Sequence, residues 1–587
     1  MYNTFYFILI NKYLLLFLVF ILLISCKETP KPVSDSRIND YALYDAKDDF
    51  HRFSYYNNNK AIVLFVQGNG CPIVRNAISD YQAIVEEYQE KGFKFFMINS
   101  NIQDNRKSIK KEADSYGFKI PVLVDSAQLI ADELDIKITG EVIILHPTKR
   151  TILYRGPIND RLDYESQKDI IQKKYLRNTL DLILSNKEIT EDTIPAKGCI
   201  VTRLSSTEEK DHLTYTKDIA PILADRCVKC HNENGIAPWS MSNYNLVNGW
   251  SSMMKEVLIS KRMPPWSADP EIGEFENSLV LEDSSLRKVI RWINEGRKYG
   301  EGIDTLETIK PVSFEWKSGV PDTIINLKTE KIPATGIVPY RFQRFTLDLP
   351  ENKYLKAIEI QPGNSKVVHH ITLSKNRKPQ FIHAFNRDEI KHIDSYIAFS
   401  ASENNSTEFP ENTGYYIEKD VQLTVQIHYA TTGKEEIDQT NIGLYFHKEK
   451  PKKEIHSIGT SSYDFKIPPF GEKVSVVATD TVAKNIKIYF LSPHMHYRGK
   501  SSTITVEYPN GEIEKIISVA DYNFNWQRFY KFKEPLFLPK GSIIKVEGVF
   551  DNTFQNPFNP DPDQVLQFGR QSIDEMMIAF YNYTIEE

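Results

Sequence analysis

The chain has 587 residues, 72 lysines and arginines against 78 aspartates and glutamates, and a formal net charge of −6. That length exceeds what one hydrophobic core serves, so several domains are expected. The basic residues are spread along the chain without the footprint of a nucleic-acid binder, which excludes that partner class, and there is no solenoid-type repeat or long low-complexity tract.

The first 25 residues carry FYFILI, a polar break at Asn11 and Lys12, and YLLLFLVFILLIS directly before Cys26. This is the pattern of an export signal, although a plain transmembrane anchor also explains the apolar run. LISC resembles the lipobox of bacterial lipoproteins. The resemblance implies a signal peptide over 1–25, a diacylglyceryl-modified Cys26, a linker over 26–38 and lipid anchoring in the bacterial cell envelope, at the periplasmic face or the cell surface.

From residue 39 to 200, short apolar runs (AIVLFVQG, FKFFMINS, PVLVDS, EVIILHP, TILYRG) alternate with helical stretches. One of these runs from Arg75 to Lys91, with Ala77, Tyr81, Ile84, Val85 and Tyr88 at helical spacing. Alternation of this kind means α/β. Cys71 stands between a strand and a helix start, where the helix dipole favours thiolate. The segment around CPIVRN resembles the redoxin branch of the thioredoxin fold. It departs from that family in having no second cysteine three residues on, and in carrying Gly140 where the family has a cis-proline. By resemblance, Cys199 in AKGCIV is the candidate resolving thiol for Cys71; the alternative is a thioredoxin-like domain kept for docking. An even set of cysteines in an exported protein ordinarily suggests disulfides, but the positions of these argue for other chemistry.

Over 211–302 the strands disappear. TKDIAPILADRC is helical in pattern, and a further helix starts at Asp283 or Ser284 and stops at Gly296. Cys227-Val-Lys-Cys230-His231 is C-x-x-C-H, the attachment signature of a c-type haem: two thioether bonds from the cysteines and an iron ligand from the histidine. Met263, in the Pro-stiffened KRMPPW, is the candidate sixth ligand, where a thioether raises the reduction potential. Met241, Met253 and Met254 are its rivals, and core filling is the commoner use of methionine.

Beyond Gly302 strands dominate, and two antiparallel sandwiches in series are expected, over 313–450 and 456–587, joined at HKEKPKKEIH. Asn510-Gly511 suits a type I′ hairpin turn. In PHMHYRGK, His494 and His496 share a strand face at about 6.6 Å of rise, a separation two imidazoles close onto one metal. VVHHITL supplies His369 and His370, VQIHYATTG supplies His428, and QSIDEMMIAF supplies Met576. Neighbours on a regular strand point to opposite faces, so a bulge or a strand end must re-aim one of His369 and His370. Imidazole suits copper and a thioether favours Cu(I); zinc is the second choice of metal.

In order and local context these residues resemble the copper type II ascorbate-dependent monooxygenases, the family of peptidylglycine alpha-hydroxylating monooxygenase and dopamine beta-monooxygenase. The resemblance implies two jelly-roll-like sandwiches, one copper held by His369, His370 and His428, and a second held by His494, His496 and Met576. It also implies that dioxygen and an organic substrate meet at the second copper, while the first passes on an electron. The animal enzymes are stapled by disulfides, and no cysteine follows Cys230 here.

The expectation is therefore a multidomain, lipid-anchored redox protein. It comprises an α/β thioredoxin-like domain, a small all-α cytochrome c domain and two all-β sandwiches. Its expected activity is oxygen-dependent hydroxylation of a C–H bond with two coppers and one covalent haem. Electrons come from a donor protein, ascorbate or another small reductant. The alternatives are an electron-transfer or thiol-disulfide protein whose copper sandwiches are non-catalytic, and a membrane scaffold.

Overall fold

The computed structural model describes residues 37–164, 166–190, 192–204, 212–265, 268–309, 316–375, 396–401 and 405–587. The signal segment and Cys26 lie outside these residues. Among the described residues no helix is long and apolar enough to cross a membrane. The chain divides into two compact units, the first ending at Leu204 and the second made of Ser205–Glu587 together with Asp48–Phe50.

The first unit is a five-stranded sheet with helices. Its strands are β1 (Ala61–Gln67), β2 (Phe93–Asn99), β3 (Val122–Val124), β4 (Val142–Leu145) and β5 (Ile152–Gly156), in the order β3-β2-β1-β4-β5. β1, β2 and β3 run parallel, β4 pairs antiparallel with β1, and β5 pairs antiparallel with β4. Every residue of β1 is buried, as a central strand covered on both faces requires. Helix α1 (Pro72–Tyr88) begins three residues earlier than its apolar spacing suggests, because Pro72 is pre-set for the first helical position and Cys71 caps the end in extended conformation. Its inward residues, among them Val74, Ala77, Tyr81 and Ile84, join Val63, Phe65 and Phe95 in one core. Burying each such large side chain contributes about 1.5–3 kcal/mol. Tyr81 is fully buried, and its hydroxyl is satisfied by donating to the Phe96 carbonyl at 3.0 Å.

The second unit opens with helices α2 (Ala220–Arg226), α3 (Tyr244–Ile259) and α4 (Asp283–Asn294), the first preceded by a π turn over Tyr215–Ile219. Trp292 on α4 is fully buried, and Gly296 ends that helix with φ +96°. Antiparallel sheets follow. One has the order β6-β11-β8-β9, built from β6 (Arg341–Asp348), β8 (Val368–Lys375), β9 (Tyr396–Ala401) and β11 (Asp420–Tyr429). It shares an apolar core with a second sheet that contains β7 (Lys353–Gln361), β10 (Thr413–Ile417) and β12 (Asn441–Phe446).

The second pair consists of β13-β20-β15-β18 and β14-β19-β16-β17. The strands are β13 (His456–Ser461), β14 (Val474–Thr481), β15 (Ile486–Met495), β16 (Gly499–Glu507), β17 (Ile513–Val519), β18 (Tyr530–Leu538), β19 (Ile543–Phe550) and β20 (Met577–Ile585). This pair closes on its own core, which includes Met495, Ile517, Leu538, Val546 and Met577. Two layers with one core each match the alternation in the sequence. The β16–β17 turn corrects one expectation. Only Gly511 has positive φ, and its N–H donates to the Tyr508 carbonyl at 2.8 Å. That bond centres the turn on Pro509 and Asn510 instead of Asn510 and Gly511, and the negative φ that proline fixes at the first central position excludes type I′.

Candidate redox and metal centres

The first cluster arises from a register shift. β8 pairs with β11 so that Val368 faces Tyr429 and His370 faces His428, and the shift between these pairs leaves His369 in a bulge. The bulge turns His369 toward the face of its neighbour. One nitrogen from each of His369, His370 and His428 lies within 4.8 Å of the other two, and Nδ1 of His369 is 3.1 Å from Nδ1 of His370. Nδ1 of His428 is buried without a hydrogen-bond partner. A buried imidazole nitrogen with no partner is costly unless something binds it, so the donor set fits a single metal ion. The ring of Tyr340 packs edge-on against both His370 and His428, closing one side.

The second cluster sits on β15 and just beyond it. His494 faces Ile578 and Met495 faces Met577 in the pairing with β20. The paired register ends at Met495–Met577, and Met576 is the residue immediately before β20. The rings of His494 and His496 stand 5.2 Å apart between centroids. Nδ1 of His494 is 2.7 Å from Gln527 Oε1, and Nδ1 of His496 is 3.2 Å from the Asp574 carbonyl. These partners take up both Nδ1 atoms and leave the Nε2 atoms to bind a metal, an arrangement that fixes tautomer and ring orientation. Burial holds His369 and His494 down to about 4 and His428 down to about 3, and it pushes His370 and His496 well below the ordinary imidazole value. All five rings are thus neutral near pH 7, the form that binds metal.

Cys227 caps the C-terminal end of α2, and Cys230 and His231 follow in the turn beyond it rather than within the helix. The N–H of His231 donates to the Cys227 carbonyl at 3.0 Å. Nδ1 of the His231 ring lies 3.0 Å from the Trp239 carbonyl, which leaves Nε2 available to a ligand. A side chain at Gly235 would strike the Cys230 carbonyl, so the loop folds closely under the motif. These features would suit an imidazole that holds a haem iron. Met263 is partly buried just past α3, and its N–H donates to the Val257 carbonyl. Its rivals divide by exposure: Met241 and Met254 are buried, whereas Met253 is 46% exposed.

In the first unit, Cys71 and Cys199 are 128 residues apart in sequence, and their sulfurs lie 2.6 Å apart. The Thr139 hydroxyl is 3.0 Å from the Cys71 sulfur and accepts the Cys199 N–H at 3.0 Å. Burial alone raises the Cys71 thiol, but hydrogen bonds from Cys199, Thr139 and the Val74 N–H outweigh it and bring the thiol below its ordinary value. Burial and the neighbouring Cys71 raise Cys199. The pair is therefore asymmetric, with Cys71 the more readily ionised thiol and Cys199 the less.

Residues 35–155 match the AhpC/TSA family. This segment is a redoxin domain, thioredoxin-like in fold. Among solved structures the chain is similar to a hypothetical protein from Sinorhizobium meliloti 1021, at 21% identity over 29% of this chain and 94% of that one, TM-score 0.27. It is also similar to an uncharacterized conserved protein from Geobacillus kaustophilus, at 24% identity over 29% and 92%, TM-score 0.27. A third is the thioredoxin domain of a thiol-disulfide oxidoreductase from Bacteroides vulgatus, at 13% identity over 26% and 99%, TM-score 0.21. No curated protein matches the chain.

The redoxin domain contains Cys71, and Cys199 lies beyond the matched residues. Gly140 has φ +76°, and a side chain there would meet the Lys197 carbonyl, so glycine is required where the segment leading to Cys199 passes. Thr139, which the sequence did not single out, is the hydroxyl shared by both cysteines; its place beside Gly140 was the available signal. Gln527, Tyr340 and Phe524 were likewise missed, because their contacts to the histidines come from distant parts of the chain.

Proposed function

We propose that the chain is a copper-dependent monooxygenase that hydroxylates a C–H bond, supplied with electrons through a c-type haem. The observation that carries this reading is the convergence of His369, His370 and His428 within 4.8 Å, with the buried His428 Nδ1 lacking a partner. Those three residues would hold one copper, and His494, His496 and Met576 the other. Cys227 and Cys230 would bind the haem covalently, and His231 and Met263 would hold its iron. When bound, the coppers supply one-electron redox chemistry and the site of dioxygen reduction. The chain's own part is to keep five imidazoles neutral and to fix their tautomers. Gln527 does this for His494, the Asp574 carbonyl for His496 and the Trp239 carbonyl for His231. Phe524 and Tyr340 keep water from the histidine faces. The substrate is an organic molecule with an activatable C–H bond. Export and lipid anchoring through Cys26 belong to the same proposal. Substrate-dependent oxygen uptake by the copper- and haem-loaded protein tests it; its absence across candidate substrates, with copper bound, defeats it.

A second activity is favoured by the thiol pair. The Cys71 thiolate attacks a substrate disulfide and releases one substrate thiol; Cys199 then attacks the mixed disulfide and releases the other. The substrate gains two electrons and two protons, and Cys71–Cys199 becomes the disulfide. This is the redoxin reading, with thiol-disulfide or peroxiredoxin-like chemistry as its class. A thiol-trapping gel shift that responds to reductant and vanishes in either single cysteine variant supports it; no shift in wild type removes it.

A further inference from the structure

Connecting segments ordinarily run over the surface, where water satisfies their backbone. The segment between β17 and β18, residues 520–529, contains Phe524, Gln527 and Arg528 at 1%, 5% and 3% exposure. It belongs to neither histidine strand, yet it touches both histidine sites. The Phe524 ring lies 5.5 Å from His428 and 5.9 Å from His496 between centroids, so one ring stands against both sites. The Asn525 backbone hydrogen-bonds the His369 ring, and Gln527 Oε1 is 2.7 Å from His494 Nδ1. Phe529 reaches His370 through Phe399, with ring centroids 5.0 Å and then 5.7 Å apart.

The same segment meets the part of the chain that follows Met263. Arg528 Nε donates to the Pro265 carbonyl, two residues beyond Met263. Asn277 Nδ2 donates to the Phe529 carbonyl at 2.7 Å, and its Oδ1 accepts the Lys531 N–H at 3.0 Å. A separate contact joins the C-x-x-C-H side to the first cluster directly: Ser365 Oγ donates to the Asn234 carbonyl, four residues before His369.

We propose that residues 524–529 are the electron relay from the haem-binding segment to both histidine sites, joined to that segment at Arg528. The inference rests on the haem and copper assignments above. In the step it carries, one electron leaves the ferrous haem iron, which becomes ferric, and reduces a cupric ion to cuprous; no bond is made or broken. Packing alone does not call for a buried arginine at one end of a loop and a histidine-bound glutamine beside it. A relay is served by continuous bonded and hydrogen-bonded contact of this kind, without a water-filled gap.

The test uses the full chain, matured with covalent haem and loaded with Cu(II). The haem is reduced by an anaerobic light flash, and loss of its ferrous absorption band is followed. In wild type, reoxidation is expected to be first-order and independent of protein concentration. Arg528→Ala is expected to slow it by about tenfold, with copper content and the haem spectrum unchanged, and with ascorbate still reducing the copper. Asn277→Ala, which loosens the same junction without removing a buried charge, should slow it too if Arg528→Ala does not fold. Ser365→Ala should leave the rate within about twofold. A slow Ser365→Ala beside normal Arg528→Ala and Asn277→Ala, or a wild-type rate that scales with protein concentration, overturns the relay while leaving the cofactor assignments intact. Failure of wild type to retain haem or copper removes the proposed function, and the relay with it.

Discussion

The carboxylate of Glu575 accepts the backbone N–H of Arg498 at 2.7 Å and also that of His496 at 3.2 Å. Glu575 is fully buried and immediately precedes Met576, while Arg498 is 1% exposed and donates to the Ile573 carbonyl at 2.7 Å. This clamp ties the His-x-His turn to the residues just before β20, where the candidate thioether stands. Burial raises the Glu575 carboxyl to about 8, so the loss in Glu575→Ala is that of the acceptor of two buried N–H groups, at about 1–3 kcal/mol each. Chemical denaturation checks this; a change within about 0.5 kcal/mol would show the clamp to be incidental.

The thiol pair predicts a displaced pH profile. Hydrogen bonds to the Cys71 sulfur favour its thiolate, so alkylation of Cys71 should rise at a pH below that of an ordinary thiol. Thr139→Val removes one of those hydrogen bonds, and the profile should move upward in pH. A wild-type profile at the ordinary thiol position, unmoved by Thr139→Val, contradicts this account.

The buried histidines predict acid sensitivity of the metal-free protein. His369 and His494 titrate at about 4 and His428 at about 3 in the fold, against about 6.5 when unfolded. Between those values the unfolded chain binds more protons, so the stability these groups contribute is present above about pH 6.5 and is lost progressively as pH falls toward 3. Melting curves of the metal-free protein over that range should show a steep fall in Tm. Replacing His428 with Gln should flatten it.

Haem attachment has its own check. Protein made with a cytochrome c maturation system should keep its haem through acid-acetone extraction, as thioether bonds at Cys227 and Cys230 require. His231→Ala should lose the proximal ligand, and replacing Met263 should abolish a low-spin, high-potential spectrum. Haem released into the organic phase contradicts the thioether assignment.

Much of this architecture was legible because it is local. The alternation of AIVLFVQG and its successors gave a parallel-cored sheet, and period-two patterning gave the later strands. The His369-His370 pair demanded a bulge or a strand end on geometric grounds, and the structure has a register shift between Val368 and His370. What was not legible depends on contacts between distant residues. The run NFNWQRFY has no periodicity that announces a loop spanning two clusters, and Thr139 resembles any other threonine until Cys199 arrives beside it. The hairpin turn was misjudged from Asn510-Gly511 because Pro509, one residue earlier, restricts the backbone more strongly.

The central claim is that the two histidine clusters are separate copper sites with different roles. The most direct measurement is copper per chain, taken together with oxygen consumption, in wild type, His428→Ala and Met576→Leu. The account predicts two coppers in wild type. It predicts that His428→Ala keeps the His494–His496 copper, and that Met576→Leu keeps Cu(II) but weakens Cu(I) and loses substrate-dependent oxygen uptake, since only the soft thioether discriminates between the oxidation states. One copper per chain in wild type, or two coppers with full turnover after Met576→Leu, would contradict it.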